Sequence, residues 1–211
     1  MTAILKVDTI QDTSGNNIIN ESSDTITIGA SGDTTNIIGT LQNNGSALSF
    51  ATVNGITEYD MFRLTSDTQG PFTLTSNLER VDTSFEKIGT GMSESSGVFT
   101  FPSTGKYEVR FTATGKNPDA TGERNYVANI QLTTNNSSYS NVASSSNNIG
   151  YYSSSVNNWQ TTSAFVFLDI TDTSNMKIKF NVETNGNSNT YTMSSSASNI
   201  TYMTFIKIGD T

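Results

Sequence analysis

A chain of 211 residues with no Cys and no His has no thiol nucleophile, no disulfide, no Ser-His-Asp triad and almost no route to a zinc site. Its 11 basic residues against 19 acidic ones leave a net charge of −8, which offers no positive surface to a nucleic-acid backbone. Ser, Thr and Asn make up about two-fifths of the residues, yet 11 Phe, 8 Tyr and 1 Trp are enough for a packed all-β core, and that argues against disorder.

The acidity is uneven. Residues 1–60 carry one Lys against seven acids, and residues 61–211 carry ten basic against twelve acidic. No segment reaches the ~18 consecutive apolar residues of a membrane span. The opening Met1-Thr2-Ala3-Ile4-Leu5-Lys6-Val7-Asp8 lacks the basic start and apolar run of a secretory signal. The expectation is a protein that matures in a cytoplasm, without membrane insertion.

The first forty-five residues consist of small isoleucine-rich groups separated by Asp, Asn, Ser, Thr and Gly turns. Ile10, Ile19, Ile28 and Ile37 recur at a spacing of nine. Each group is a very short strand signal with almost nothing to pack against in one copy. Several copies wound about a common axis would bury these side chains, so the segment predicts a homo-oligomer. Residues 1–50 are read as this segment and 51–211 as a separate domain. The aromatic content supports the boundary, because residues 1–49 contain no Phe, Tyr or Trp.

The second region reads as successive strands. Tyr59–Leu64 alternates, Phe85–Ile88 is short, and Gly97–Phe101 ends at the turn Pro102-Ser103-Thr104-Gly105. Lys106–Ala113 then alternates cleanly, with Tyr107, Val109, Phe111 and Ala113 on one face. Tyr126–Thr133 alternates too. Thr162–Ile170 is apolar on both faces, the pattern of a central strand. Met176–Val182 and Ile200–Ile208 complete the series. Two long polar stretches, Thr133–Gln160 and Thr184–Ser198, are read as loops. Strands with turns and no helical period predict a sandwich or barrel.

Candidate chemistry is sparse. Asp8/Asp12, Glu79/Asp82, Asp119/Glu123 and Asp169/Asp172 are acidic pairs, but all sit beside turn residues, where Asp is common for backbone reasons. The expectation is therefore no enzyme and no catalytic residue. Asp169 and Asp172, with Asn175, supply oxygen ligands that could hold calcium, although without the spacing of a twelve-residue calcium loop. Tyr139, Tyr151, Tyr152 and Trp159 lie in or beside the long polar stretch. Aromatic faces among Ser and Asn suit sugar stacking or adaptable protein contacts, and Tyr151, Tyr152 and Trp159 are the candidate receptor-binding residues.

Gly97, Phe99, Pro102, Gly105 and Tyr107 form a G-x-F-x-x-P-x-x-G-x-Y pattern that resembles the tumour-necrosis-factor-like jelly roll, the fold of the complement globular head. The strands within Phe165–Val182 and the closing Met203–Ile208 fall where that family places its last three strands. The resemblance implies an antiparallel jelly-roll sandwich and a homotrimer. Two departures stand out: residues 133–160 are longer and richer in Ser and Asn than usual there, and the N-terminal part is not a collagen stalk. In a trimer, Tyr107, Val109, Phe111, Phe165, Phe167, Phe180, Tyr202 and Phe205 would divide between core and subunit interface.

Leu5-Lys6-Val7-Asp8-Thr9-Ile10, then Thr13-Ser14-Gly15-Asn16 and Ile38-Gly39-Thr40-Leu41, resembles the start of fibre-type structural proteins of marine bacteriophages. That resemblance implies a virion-anchoring shaft, with Ile4, Leu5, Val7, Ile10, Ile18 and Ile19 as the anchor residues, and other virion proteins as partners. The combined expectation is an all-β protein with a short trimeric shaft at residues 1–50 and a jelly-roll head at 51–211. It would be a tail or head fibre adhering to a host-surface glycan or protein, located in the virion and without a cofactor. A capsid-decorating cement protein, a polysaccharide depolymerase and a secreted lectin-like module are the alternatives.

Overall fold

The computed structural model describes residues 9–11, 13–15, 17–22, 25–28, 32, 34, 42–43, 46–47, 55–83, 86–118, 122–150, 158–185 and 189–211. Among them every regular element is a strand. The chain divides into two compact units, Met1–Val53 and Asn54–Thr211.

In the first unit, β1 (Thr9–Gln11), β2 (Asn17–Ser22) and β3 (Thr25–Ile28) form an antiparallel sheet in that order, and β4 (Gln42–Asn43) pairs with β5 (Ser46–Ala47). The register sets Ile10 opposite Ile19 and Ile19 opposite Ile28. The nine-residue spacing is thus the length of one strand-and-turn step, and it stacks the three isoleucines in a cross-strand row on one face. They are 40, 37 and 56% exposed, so the unit by itself does not bury them. Ile18 lies in β2. Ile4, Leu5, Val7 and Ile37 fall outside the described residues.

In the second unit the strands are β6 (Tyr59–Leu64), β7 (Thr68–Gln69), β8 (Phe72–Thr73), β9 (Leu78–Arg80), β10 (Ser93–Ser95), β11 (Val98–Thr100) and β12 (Gly105–Asn117). They continue as β13 (Glu123–Thr133), β14 (Ser140–Ile149), β15 (Asn158–Ile170), β16 (Lys177–Thr184), β17 (Tyr191–Thr192) and β18 (Tyr202–Gly209). One sheet runs β15-β12-β18-β6-β9, with β17 and β7 continuing alongside the far end of β12. The other runs β10-β11-β16-β13-β14, with β8 beside β11 on the same edge of β16. All pairings are antiparallel. The two sheets face each other as a jelly-roll sandwich, in agreement with the expected fold class.

Alternation places the core. In β12, Tyr107, Val109, Phe111 and Ala113 point inward and are at most 1% exposed, as the sequence pattern predicts. Phe180 of β16 and Phe205 of β18 join them at 0 and 2%. Phe99 occupies the centre, with ring centroids 5.1 Å from Phe62, 5.4 Å from Phe180 and 5.2 Å from Phe205. Two of these pairs are edge-to-face, the arrangement that the ring quadrupole favours.

Most positions of the G-x-F-x-x-P-x-x-G-x-Y pattern have a local cause. Ser95 pairs with Val98, leaving Ser96 and Gly97 as a two-residue hairpin turn with φ of 52° and 77°. Two positive φ values in succession are the primed turn that suits strand twist. A Cβ on Gly97 would also fall 1.8 Å from the Leu74 carbonyl oxygen, so glycine is required twice over. Phe99 follows into the core. Gly105 has φ of 144° and lies beneath Lys207, and the Tyr107 hydroxyl donates to the Ser103 carbonyl at 3.0 Å, closing the turn that contains Pro102.

Three expectations are corrected. Ten residues of the expected Thr133–Gln160 loop form β14, an edge strand. Its Ala143, Ser145 and Asn147 alternate toward the sandwich, too small and polar to read as a strand by hydrophobicity. Backbone pairing to β13 orders it. The Thr162 hydroxyl donates to Ser145 Oγ at 2.8 Å and Asn147 Nδ2 to Gln160 Oε1 at 3.1 Å, joining the edges of the two sheets through side chains. The strand holding Thr162–Ile170 is β15, which pairs only with β12 and is an edge, not a central strand. Its two apolar faces have another meaning, developed below. The expected Thr184–Ser198 loop contains the short β17, which binds β12 and β7. Of the short Phe85–Ile88 strand, Phe85 lies outside the described residues and Ile88 makes a single bridge to Tyr59.

Two predictions follow from this packing. Gly97→Ala forces an L-residue into the left-handed region and drives its Cβ into Leu74; the expected loss is about 2–4 kcal/mol, read as a lower urea midpoint at unchanged slope. Tyr126 is fully buried with its hydroxyl 2.8 Å from Thr192 Oγ1. Burial pushes the phenol well above its ordinary value of 10.0, outweighing the opposing hydrogen bond to Thr192. The stability this phenol contributes is complete below that pH and is lost as pH rises toward the folded value. Tyr126→Phe should flatten the fall in urea midpoint between about pH 10 and 12, the range just above the free phenol value.

Candidate functional site

Residues of β12 and β15 that do not point into the core point out of the sheet, and the register assembles them into rows. Tyr59, Ile206, Glu108 and Phe167 form one row across β6, β18, β12 and β15. Met61, Thr204, Arg110 and Phe165 form the next, and Arg63, Tyr202, Thr112 and Ser163 the one after. Phe165 and Phe167 are 55 and 60% exposed, whereas Phe62, Phe99, Phe101, Phe111, Phe180 and Phe205 are all at most 5% exposed. Full burial of such a ring is worth about 1.5–3 kcal/mol, and roughly half of that is forgone at each of these two.

Charge on this face is organised around the rings. The Arg110 guanidinium carbon lies 5.5 Å from the Phe165 ring centroid, and Arg110 donates to Glu108 Oε1 at 3.1 Å. Phe165 and Phe167 meet edge-to-face at 6.1 Å. Hydroxyl pairs, Thr112 with Ser163 and Thr114 with Thr161, each 2.9 Å apart, satisfy the polar groups between the aromatic end and Trp159. Arg63, 2% exposed, is held by Glu79 at 3.3 Å. The face is therefore apolar and aromatic at one end, and on it Arg110 is paired with Glu108 and Arg63 with Glu79. Exposed aromatic rings flanked by Arg are the composition enriched at protein interfaces. Of the expected core-or-interface set, Tyr107, Val109, Phe111, Phe180 and Phe205 belong to the core, and Phe165, Phe167 and Tyr202 to this outward face.

Trp159 stands on the same outward face, opposite Lys116 and 48% exposed. Tyr151 and Tyr152 lie outside the described residues. Asp169 ends the outward row of β15 opposite Lys106. Asp172 is in the turn to β16, where Oδ1 accepts from Ser174 N at 2.8 Å and Asn175 N at 3.2 Å, and Oδ2 accepts from Asn175 Nδ2 at 2.7 Å. These bonds occupy the carboxylate in shaping its own loop. Among the described residues no group of three or more acidic side chains gathers around a point that could hold a metal.

The likeness to known proteins lies in the sandwich. No protein-family model matches the chain, and no curated protein matches it in sequence. Among solved structures, Eiger TNF from S. frugiperda superposes with a TM-score of 0.52 at 8% identity, covering 74% of this chain and 96% of that one. Murine APRIL at pH 5.0 superposes at 0.50 with 10% identity, covering 72% of this chain and 98% of that one. PRD1 vertex protein P5 aligns over 74% of this chain and 100% of its own at 19% identity, with a TM-score of 0.43 that is too low to build on. The first two show the fold, a jelly roll of the tumour-necrosis-factor type. Among the described residues no helix is long and apolar enough to cross a membrane.

The Asp172 carboxyl lies below its ordinary value, chiefly through its bond from Asn175 and next through that from Ser174. Its hold on the turn is present above the ordinary carboxylate range and is lost as pH falls through its folded value. Asp172→Ala should speed amide hydrogen exchange at Ser174 and Asn175 by about tenfold, the scale of one local hydrogen-bonded turn. Wild-type protection at these amides, taken relative to the intrinsic exchange rate at each pH, should fall to the variant's only in acid.

Proposed function

We propose that this chain is a structural protein of a bacteriophage virion. Three copies form a fibre whose N-terminal unit anchors to other virion proteins and whose jelly-roll head adheres to the host surface. The observation that carries the proposal is the pair of apolar surfaces that one copy leaves in water. One is the isoleucine row Ile10–Ile19–Ile28 in the first unit. The other is the Phe165/Phe167 end of the outward face in the second. Equivalent apolar side chains of three copies can meet around a threefold axis, so a second and third copy of the same chain cover both without requiring a different partner for either. The jelly-roll fold and the fibre-like N-terminal sequence support the same reading.

The mechanism is binding and not catalysis. Arg110 over Phe165, paired with Glu108, supplies a charge-satisfied aromatic anchor of the sort that dominates interface energies. Three identical heads turn weak single contacts into avidity.

Light scattering on the full chain should give three times 22.7 kDa. Phe165→Asp combined with Phe167→Asp should lower the mass to that of a smaller species while the far-ultraviolet circular dichroism stays that of a β protein, because both side chains are outside the core. A monomeric wild type, or a trimer indifferent to the double substitution, would sink the head interface.

A further inference from the structure

A cleft of about 430 Å³ opens on the opposite sheet, between the β10–β11 hairpin, the start of β16 and the β13–β14 turn. That volume is inside the range of about 300–1,000 Å³ that small-ligand sites occupy. Alternation builds its floor: Ile178 and Phe180 turn into the core at 0% exposure, so Lys177 and Lys179 both turn outward. Thr100 is paired beside Lys177. The Lys179 ammonium lies 4.3 Å from the Tyr139 ring centroid, so the ring fixes it in place. Among the described residues no carboxylate oxygen comes within 4.0 Å of either lysine. Glu94 lines the cleft, but its Oε1 accepts from Gly97 N at 2.6 Å and belongs to the hairpin.

The walls are preorganised. Asn135 Oδ1 accepts from Ser137 N at 3.1 Å and Ser138 N at 2.9 Å, and Asn136 N donates to the Asn175 carbonyl at 3.0 Å, tying the β13–β14 turn to the turn before β16. Ser137, Thr100 and Ser93 line the space, the Ser137 hydroxyl donating to Asn135 Oδ1 at 3.0 Å, with Val98 as a small apolar patch.

We infer that this cleft binds a single carboxylated sugar unit. Two ammonium groups against one carboxylate leave the cleft with one net positive charge, which matches one sugar carboxylate and falls short of a polysulfated or polyphosphate chain. The hydroxyls exchange hydrogen bonds with the ring hydroxyls of the sugar, and Val98 takes its C–H face. The assignment deepens the adhesion reading and rests on it for its biological purpose. It adds a site distinct from the Tyr151, Tyr152 and Trp159 candidates.

The test is titration of the full chain with trigalacturonate, a neutral hexose trisaccharide, a sulfated disaccharide and inorganic phosphate, followed by nuclear magnetic resonance and calorimetry. Trigalacturonate should bind, the neutral sugar should bind at least about tenfold more weakly, and salt should weaken the acidic sugar. Lys177→Gln and Lys179→Gln should each cost about tenfold in affinity, since both lysines are surface side chains whose loss leaves the core intact. No binding of trigalacturonate, equal binding of the neutral sugar, equal binding of the sulfated sugar or of phosphate, or lysine variants that bind like wild type would each overturn the assignment. Light scattering on the same samples reads the trimer separately, because neither lysine is on the sheet face that carries Phe165.

Discussion

The packing of Phe99 between the two sheets is the constraint on which the rest of the head depends. Its ring touches Phe62 from one sheet's β6, Phe180 from the other sheet's β16 and Phe205 from β18, so one side chain ties together three strands that are far apart in sequence. It reaches that position because the Ser96-Gly97 turn aims β11 inward, and the turn exists because two residues there tolerate positive φ. Truncating such a ring to Ala costs about 3–5 kcal/mol. That is a large share of the stability of a domain this size.

Once the core fixes which way each strand faces, everything outward is determined. Inward Tyr107, Val109 and Phe111 oblige Glu108 and Arg110 to face out, and pairing with β15 then sets Phe167 and Phe165 beside them. On the other sheet, inward Ile178 and Phe180 oblige Lys177 and Lys179 outward into the cleft. The two surfaces lie on opposite sheets, so assembly through one leaves the other free.

Much of this was legible in the sequence. Clean alternation in Lys106–Ala113 gave both the strand and its buried face, and the glycine, proline and aromatic spacing of residues 97–107 resembled the jelly-roll pattern, in which Gly97 and Tyr107 answer local steric and hydrogen-bonding demands. The nine-residue isoleucine spacing was legible as a repeat, but its meaning as a cross-strand row needed the register. β14 was hidden because Ser and Asn have weak strand preference and carry no hydrophobic period; a neighbouring strand supplies its order. The both-sided apolarity of Thr162–Ile170 looks in sequence like burial between two layers, whereas in the fold one face of this edge strand is core and the other leaves Phe165 and Phe167 exposed. The lysine cleft was invisible because Tyr139 approaches Lys179 only through the fold.

Strand β18 lies between β12 and β6, yet it is synthesised after every strand it joins. While the ribosome is still adding residues before Tyr202, the facing edges of β12 and β6 are unpaired, and Phe205 is missing from the centre of the sandwich. The sandwich therefore closes only after Tyr202–Gly209 has been synthesised. Chains cut short before this strand lack the link between β12 and β6, so they cannot complete the sheet that Phe205 ties to the core.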